Sequence, residues 1–80
     1  MEIYIGNLAY DIDGSQLEEV FSEYGEVTES KLIINHDTGR SKGFGFITMT
    51  NDSEANTAIE TLDGAEINGR PVKVNEARAK

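Results

Sequence analysis

Apolar and polar residues alternate in several short segments of the chain. Residues 2–8 alternate with period two around β-branched and aromatic side chains, which is typical of a strand that runs into a loop. Residues 27–34 indicate a second strand, and the polar, turn-rich residues 35–41 indicate a loop after it. A third strand is expected from Lys42 to Met49 or Thr50, and the last strand from Pro71 to Glu76.

Two other segments carry apolar residues at i, i+3, i+4 and i+7, the spacing of one helix face. Asp13 and Asn51 are predicted caps, because each is followed three residues later by Gln or Glu. Gly25 and Gly64 are predicted as the left-handed residues that stop the two helices. The apolar positions are Leu17, Val20, Phe21 and Tyr24 in the first helix and Ala55, Ala58, Ile59 and Leu62 in the second.

The elements follow each other in the order βαββαβ. Asn68-Gly69 adds a tight hairpin signal between Glu66-Ile67 and Arg70. Right-handed crossovers place both helices on the same side of the sheet. The pattern therefore predicts an α+β, ferredoxin-like fold, a four-stranded antiparallel sheet with two helices packed on one face and the first and third strands in the middle.

The other face of this sheet has no helix to cover it, so strand parity decides which side chains it exposes. Parity places Tyr4 outward on the first strand and Phe44 and Phe46 outward on the third. The opposite assignment would expose the apolar residues Ile3, Ile5, Ile47 and Met49 instead. Three aromatic side chains are thus expected together on an open face, where a contiguous exposed patch points to binding.

The outer strands are expected to frame this patch with polar side chains. Lys73 and Asn75 point outward if Val72 and Val74 face the core. On the second strand Val27 breaks the alternation, and we take the even positions as inward. That choice places Lys31 and Ile33 outward. Glu2 and Glu29 are expected on the same face, where they narrow the zone that attracts anions.

The charges are segregated along the chain. Its 15 acidic and 7 basic side chains give a net charge of -8, which by itself argues against a polyanionic partner. Residues 11–26 and 52–66 hold 6 and 5 acids and no base, and the remaining residues hold 4 acids and all 7 bases, 7 − 4 = +3. The acidic helices are interpreted as a solvated surface. The bases expected on or beside the aromatic face are Lys31, Arg40, Lys42, Lys73, Arg78 and Lys80.

The composition excludes several classes of function. Without cysteine there are no disulfides, thiolate metal sites or cysteine nucleophiles. The single histidine, His36, is expected in a polar loop, and no acid, base and nucleophile are expected to come together in one site of this fold. Neither an enzyme nor a metal or cofactor site is therefore expected. No apolar run approaches the roughly 18 residues of a spanning helix, and Met1 leads directly into a strand without a signal peptide. A soluble intracellular domain is expected.

Two motifs resemble those of a known family. Residues 3–8, Ile-Tyr-Ile-Gly-Asn-Leu, resemble the hexamer of the RNA recognition motif, and residues 42–49, Lys-Gly-Phe-Gly-Phe-Ile-Thr-Met, resemble its octamer except at the last position. The likeness extends over residues 1–80 as a single domain. It is greatest to small single-motif RNA-binding proteins of bacteria, especially cyanobacteria, and to the motif of plant glycine-rich RNA-binding proteins. The bacterial likeness suggests a cytoplasmic location.

The resemblance implies a role for individual residues. Tyr4 and Phe44 would stack on two successive bases, Phe46 would lie against the sugar between them, and Lys42 would neutralise a phosphate. Asn75, Ala77 and Arg78 would contact base edges largely through the main chain. Asn7 would fix the loop after the first strand.

The implied partner is single-stranded RNA, bound with modest affinity by a monomer. Single-stranded DNA is a variant of this interpretation, because stacking does not require a 2′-hydroxyl. The alternative is a protein-interaction module that uses the same face or the first helix.

Overall fold

The structure is a computed structural model that describes residues 1–9, 11–34, 37 and 41–77, with the backbone alone at 34, 41 and 42. It contains two helices and a four-stranded sheet, with a small second ribbon of two strands. The elements in chain order are β1 (Glu2–Gly6), α1 (Gly14–Ser22), β2 (Val27–Ile34), β3 (Ser41–Met49), α2 (Asp52–Leu62), β4 (Glu66–Ile67), β5 (Arg70–Pro71) and β6 (Lys73–Glu76).

The main sheet has the strand order β2-β3-β1-β6, and all its pairs are antiparallel. The predicted fold is confirmed, with the first and third strands in the middle. The predicted last strand begins two residues too early, because Arg70–Pro71 pairs with Glu66–Ile67 instead of joining the main sheet. The turn between them is formed by Asn68 and Gly69 at φ 51° and 82°, as the hairpin signal predicts.

Both predicted helix caps are present. The Oδ1 atoms of Asp13 and Asn51 accept backbone N–H groups three residues later, at 2.7 and 3.0 Å. Gly64 follows α2 at φ +85° and is the left-handed residue predicted there. The prediction for Gly25 is wrong: it has no positive φ, because α1 ends in a tight right-handed turn in which the Tyr24 N–H donates to the Phe21 carbonyl at 3.0 Å.

The core lies between the helices and one face of the sheet. Ile3, Ile5, Ile47 and Met49 are fully buried beneath Leu17 and Phe21 of α1 and beneath the buried residues of α2. The loop between β1 and α1 also contributes the buried side chains of Leu8 and Ile12, which strand and helix periodicity does not identify. The helices therefore cover one face only.

The irregular alternation of β2 is explained by a bulge. Val27 pairs with Met49 while Glu29 pairs with Thr48, so one extra residue, Thr28, is accommodated in β2. The bulge switches the strand's parity: Val27 packs on the core, Thr28 is exposed, and Leu32 again packs on the core. Assigning the even positions of this strand inward is therefore wrong at Thr28.

Candidate nucleic-acid interface

Three aromatic side chains cluster on the uncovered face of the sheet. Tyr4 of β1 lies directly opposite Phe46 of β3, and Phe44 lies opposite Gly6. Ring centroids are 5.8 Å apart for Tyr4–Phe46, 6.3 Å for Tyr4–Phe44 and 6.2 Å for Phe44–Phe46. All three rings are partly exposed, while the intervening Ile3, Ile5 and Ile47 are buried on the other face. We call Tyr4, Phe44 and Phe46 the aromatic platform.

The rings meet at different angles. Tyr4 and Phe44 lie nearly parallel, with planes 28° apart, whereas Phe46 stands edge-on to both, at 63° and 87°. Two rings of the platform thus share a similar orientation, and the third is steeply inclined to both. Aromatic groups favour offset-parallel or edge-to-face contacts with one another. Two near-parallel rings are therefore suited to stack with two planar groups of a ligand.

Gly6 makes room for the Tyr4 ring. A Cβ at residue 6 would lie 2.6 Å from the Tyr4 hydroxyl oxygen and 2.9 Å from its Cε2. The ring therefore leans along β1 over Gly6, toward the register position of Phe44. The missing side chain of Gly6 brings Tyr4 and Phe44 into one surface.

Strand pairing places polar residues around the platform in register. Lys31 of β2 pairs with Phe46, and Asn75 of β6 pairs with Tyr4, so both flank the platform at the same level. Lys73 is two pairs further along, opposite Gly6. The side chains of Lys31, Lys73 and Asn75 are exposed, and the structure brings these three predicted site residues to the platform.

The charge of Lys31 is partly compensated by a neighbour. Its Nζ lies 3.2 Å from Oε1 of Glu29, and both side chains are more than half exposed, at 61% and 55%. Sequence reasoning placed the two residues on one face but missed this pairing, which their i, i+2 spacing on a strand makes possible. An exposed pair of this kind contributes little to stability, but it lowers the positive potential beside Phe46.

The remaining predicted cations are only partly described. The backbone of Lys42 lies in β3, next to Gly43 with its left-handed φ of +93°, and nothing is described of the Lys42 side chain. Arg40, Arg78 and Lys80 lie outside the described residues. Ala77 is half-buried where the chain leaves β6, and its N–H donates to the Glu2 carbonyl at 2.9 Å, so a main-chain contact from Ala77 has to use its carbonyl oxygen.

Asn7 ties the end of β1 to the small ribbon. It adopts φ 59°, its Nδ2 donates to the Pro71 carbonyl at 2.6 Å, and its Oδ1 accepts from Nη2 of Arg70 at 2.8 Å. These contacts fix the loop after β1, the role expected for Asn7. The partners are more than 60 residues away in sequence, so no local signal identifies them.

The described part of the chain contains neither a cluster of metal ligands nor a membrane-spanning helix. In residues 1–9, 11–34, 37 and 41–77, the aspartate and glutamate side chains form no group of three or more that could hold a metal ion. Neither described helix is long and apolar enough to cross a membrane.

Comparison with known proteins identifies one family. The model of the family described as "RNA recognition motif" matches residues 3–73. The protein RbpB of Nostoc sp. is 50% identical over 80 residues, which is 100% of this chain and 78% of that protein. The 28 kDa chloroplast ribonucleoprotein of Spinacia oleracea is 49% identical over 78 residues, or 98% of this chain and 34% of that protein. This chain thus spans about a third of the chloroplast relative's length.

Solved structures give the same result. The crystal structure of RNA Binding Protein PG1 superposes with a TM-score of 0.93 at 41% identity, covering 100% of this chain and 96% of that one. The Rna15 domain, solved with a bound GU RNA, superposes with a TM-score of 0.90 at 28% identity, covering 98% of this chain and 83% of that one.

Proposed function

The chain belongs to the RNA recognition motif family, and from that premise we propose that it binds single-stranded RNA on the open face of its sheet. Tyr4 and Phe44 stack on two successive bases, and Phe46 lies against the sugar between them. Members of this family are binding modules, which agrees with the expectation that the chain is not an enzyme.

The observation that carries the proposal is the aromatic platform itself. Its two near-parallel faces, Tyr4 and Phe44, have centroids 6.3 Å apart, and both stay partly exposed beside a fully formed core. Stacking on such rings contributes about 1–3 kcal/mol per base and tolerates any base, because every base has a π-face. The platform therefore suits unpaired nucleotides.

Cations and the exit of β6 complete the proposed site. Lys42 neutralises a backbone phosphate at one end of β3, and Lys31 and Lys73 add positive potential from β2 and β6. Arg40, which directly precedes β3 in the sequence, is expected to add a further cation. Base edges are contacted by Asn75, Ala77 and Arg78, largely through the main chain. Asn75 supports this role by its position opposite Tyr4.

Few phosphate contacts and two stacked bases imply modest affinity. We expect a dissociation constant of about micromolar or weaker. We expect the protein to act as a monomer. We also expect it to bind single-stranded DNA, because stacking of a base on an aromatic ring does not require a 2′-hydroxyl. A cytoplasmic location stays a prediction, and the relatives named above include a chloroplast protein.

The rival function is a peptide-binding module. The first helix offers less for this than its sequence suggests, because Leu17 and Phe21 are fully buried and belong to the core. Val20 and Tyr24 are half-buried, and Val20 lies at a shallow depression lined by Gln16, Glu19, Val20, Ser22, Glu23 and Leu62. This surface lies on the helical side, away from the platform, so a peptide bound to the first helix would leave a different footprint from RNA. A peptide bound to the same face as the RNA would be distinguished by the absence of RNA binding.

Amide NMR spectra recorded during titration with a short, unstructured RNA of mixed sequence test the proposal. Perturbations should concentrate at Tyr4, residues 42–46 and residues 75–78. A folded Phe44→Ala, Phe46→Ala variant should lose them, and Glu60→Gln, an exposed change on α2, should keep them. An unchanged wild-type spectrum at millimolar RNA, or shifts confined to α1, would contradict the proposal and favour a protein partner.

A further inference from the structure

Glu2 lies on the same face of the sheet as the aromatic platform. It precedes Tyr4 by two positions in β1, with the buried Ile3 between them, so the Glu2 and Tyr4 side chains leave the strand on one side, about 7 Å apart at Cα. Its backbone is held on both sides: Glu2 pairs with Thr48 of β3, and its carbonyl accepts the Ala77 N–H at 2.9 Å. The starting point of the side chain is therefore well defined.

The Glu2 side chain is exposed on the face that carries the platform. The Tyr4 ring leans over Gly6, away from Glu2, and leaves the Glu2 side chain exposed. Among the described residues no hydrogen bond or ion pair uses this carboxylate. Glu29, the other acid of the same row across Thr48, differs in this respect, because its Oε1 lies 3.2 Å from Lys31 Nζ.

A carboxylate at this place discriminates between groups of a nucleotide. It only accepts hydrogen bonds and it repels phosphate, so a base edge that donates is the group that suits it. Guanine presents two adjacent donors, N1–H and the 2-amino group, which match the two oxygens of a carboxylate. Adenine and cytosine present one amino group, and uracil presents one N–H between two carbonyl oxygens that a carboxylate repels.

We propose that Glu2 makes the platform select guanine for the base stacked on Tyr4, by accepting hydrogen bonds from its N1–H and 2-amino groups. This inference rests on the proposed function and names the base that the site prefers. A bidentate contact to a base edge discriminates between bases, and because this one is exposed to solvent we expect a modest preference of about tenfold.

Fluorescence anisotropy with four heptamers tests the proposal. The RNAs are uridine throughout except for the central nucleotide, which is guanine, adenine, cytosine or uracil. The wild-type protein should bind the guanine RNA about tenfold more tightly than the all-uridine RNA, with adenine and cytosine between them. Glu2→Gln, whose amide can also donate to uracil, should reduce the preference to less than about threefold.

Glu29→Gln is the matched control, since it removes the same charge from the same row but from a carboxylate that Lys31 engages. It should change the affinity for all four RNAs by a common factor and retain the guanine preference. A wild type without guanine preference, or a Glu2→Gln variant that raises all four affinities equally, would overturn the inference and leave Glu2 as a source of phosphate repulsion only. If the wild type binds none of the RNAs even at millimolar concentration, the proposed function fails as well.

Discussion

Gly45 of β3 lies so close to β2 that a Cβ added there would come within 2.6 Å of the Lys31 carbonyl oxygen. The same Cβ would lie 3.2 Å from Cδ2 of Leu17, which packs onto the sheet from α1. Gly45 is fully buried, and its neighbours are backbone and core. A side chain here would push β2 from β3 and lift α1 from the sheet.

Gly45→Ala should therefore destabilise the fold by about 1–3 kcal/mol, the usual cost of adding atoms to a packed core. Chemical denaturation followed by circular dichroism measures this loss of unfolding free energy. Gly14→Ala is the matched control: residue 14 begins α1, and a Cβ there meets nothing within 4 Å. That variant should be at least as stable as the wild type, because alanine reduces the entropy of the unfolded chain. Equal stability of the two variants would contradict the steric role of Gly45.

Gly6→Ala tests the shape of the platform. The added Cβ would meet the Tyr4 ring at 2.6–3.0 Å, so the ring must move from its position beside Phe44. Since one stacking contact contributes about 1–3 kcal/mol, we expect RNA affinity to fall by about fivefold or more. Fluorescence anisotropy with a short RNA measures the effect. Unchanged affinity in a folded variant would show that the Tyr4 orientation seen here is not needed for binding.

Asn7→Ala should lower stability for two reasons. The substitution removes the hydrogen bonds to Pro71 and Arg70, each with a net contribution of about 0.5–1.5 kcal/mol at most, and it places alanine at a left-handed φ of 59°. Asn7→Gly removes the same hydrogen bonds but accepts this backbone conformation without strain. Thermal unfolding should thus rank the wild type above Asn7→Gly and Asn7→Gly above Asn7→Ala. A different order would assign Asn7 another role.

The salt dependence of RNA affinity distinguishes the contribution of base stacking from that of phosphate contacts. With two or three phosphate contacts, the logarithm of the association constant should fall with the logarithm of salt concentration at a slope of about −1.5 to −2. The Lys31–Glu29 pair and the net charge of −8 both point to such a shallow slope. Binding measured at several salt concentrations checks it. A slope steeper than about −4 would mean that phosphate contacts dominate instead of the aromatic platform.

The platform was predictable from sequence because it follows from parity. Once Ile3, Ile5 and Ile47 face the helices, Tyr4 and Phe46 must face the other way, and strand order brings them together. The helix caps and the Asn68-Gly69 turn were predictable for a similar reason: each is a local motif read over four residues or fewer.

The remaining features depend on three-dimensional arrangements that the sequence pattern alone does not specify. The bulge at Thr28 depends on the register with β3, and the end of α1 near Gly25 depends on a turn that closes without a left-handed residue. The anchoring of Asn7 depends on a partner across the fold. The ion pair of Lys31 with Glu29 forms along one strand, and only the positions of the two side chains show it. Strict alternation assigns side chains to the wrong face where a bulge adds a residue to a strand. It also does not show which side chains on one face form an ion pair.

The placement of the three rings on β1 and β3 also affects how the site responds to heat and denaturant. Each of these strands is hydrogen-bonded to a neighbour on both sides, whereas β2 and β6 form the sheet's edges. Amide hydrogens in such central strands exchange only when the whole sheet opens, while edge strands fray locally. We therefore expect the rings to be attached to backbone that exchanges more slowly than the edge strands of the same sheet. A ligand on these rings binds the native protein and not the unfolded chain, so its binding energy adds to the stability of the whole fold.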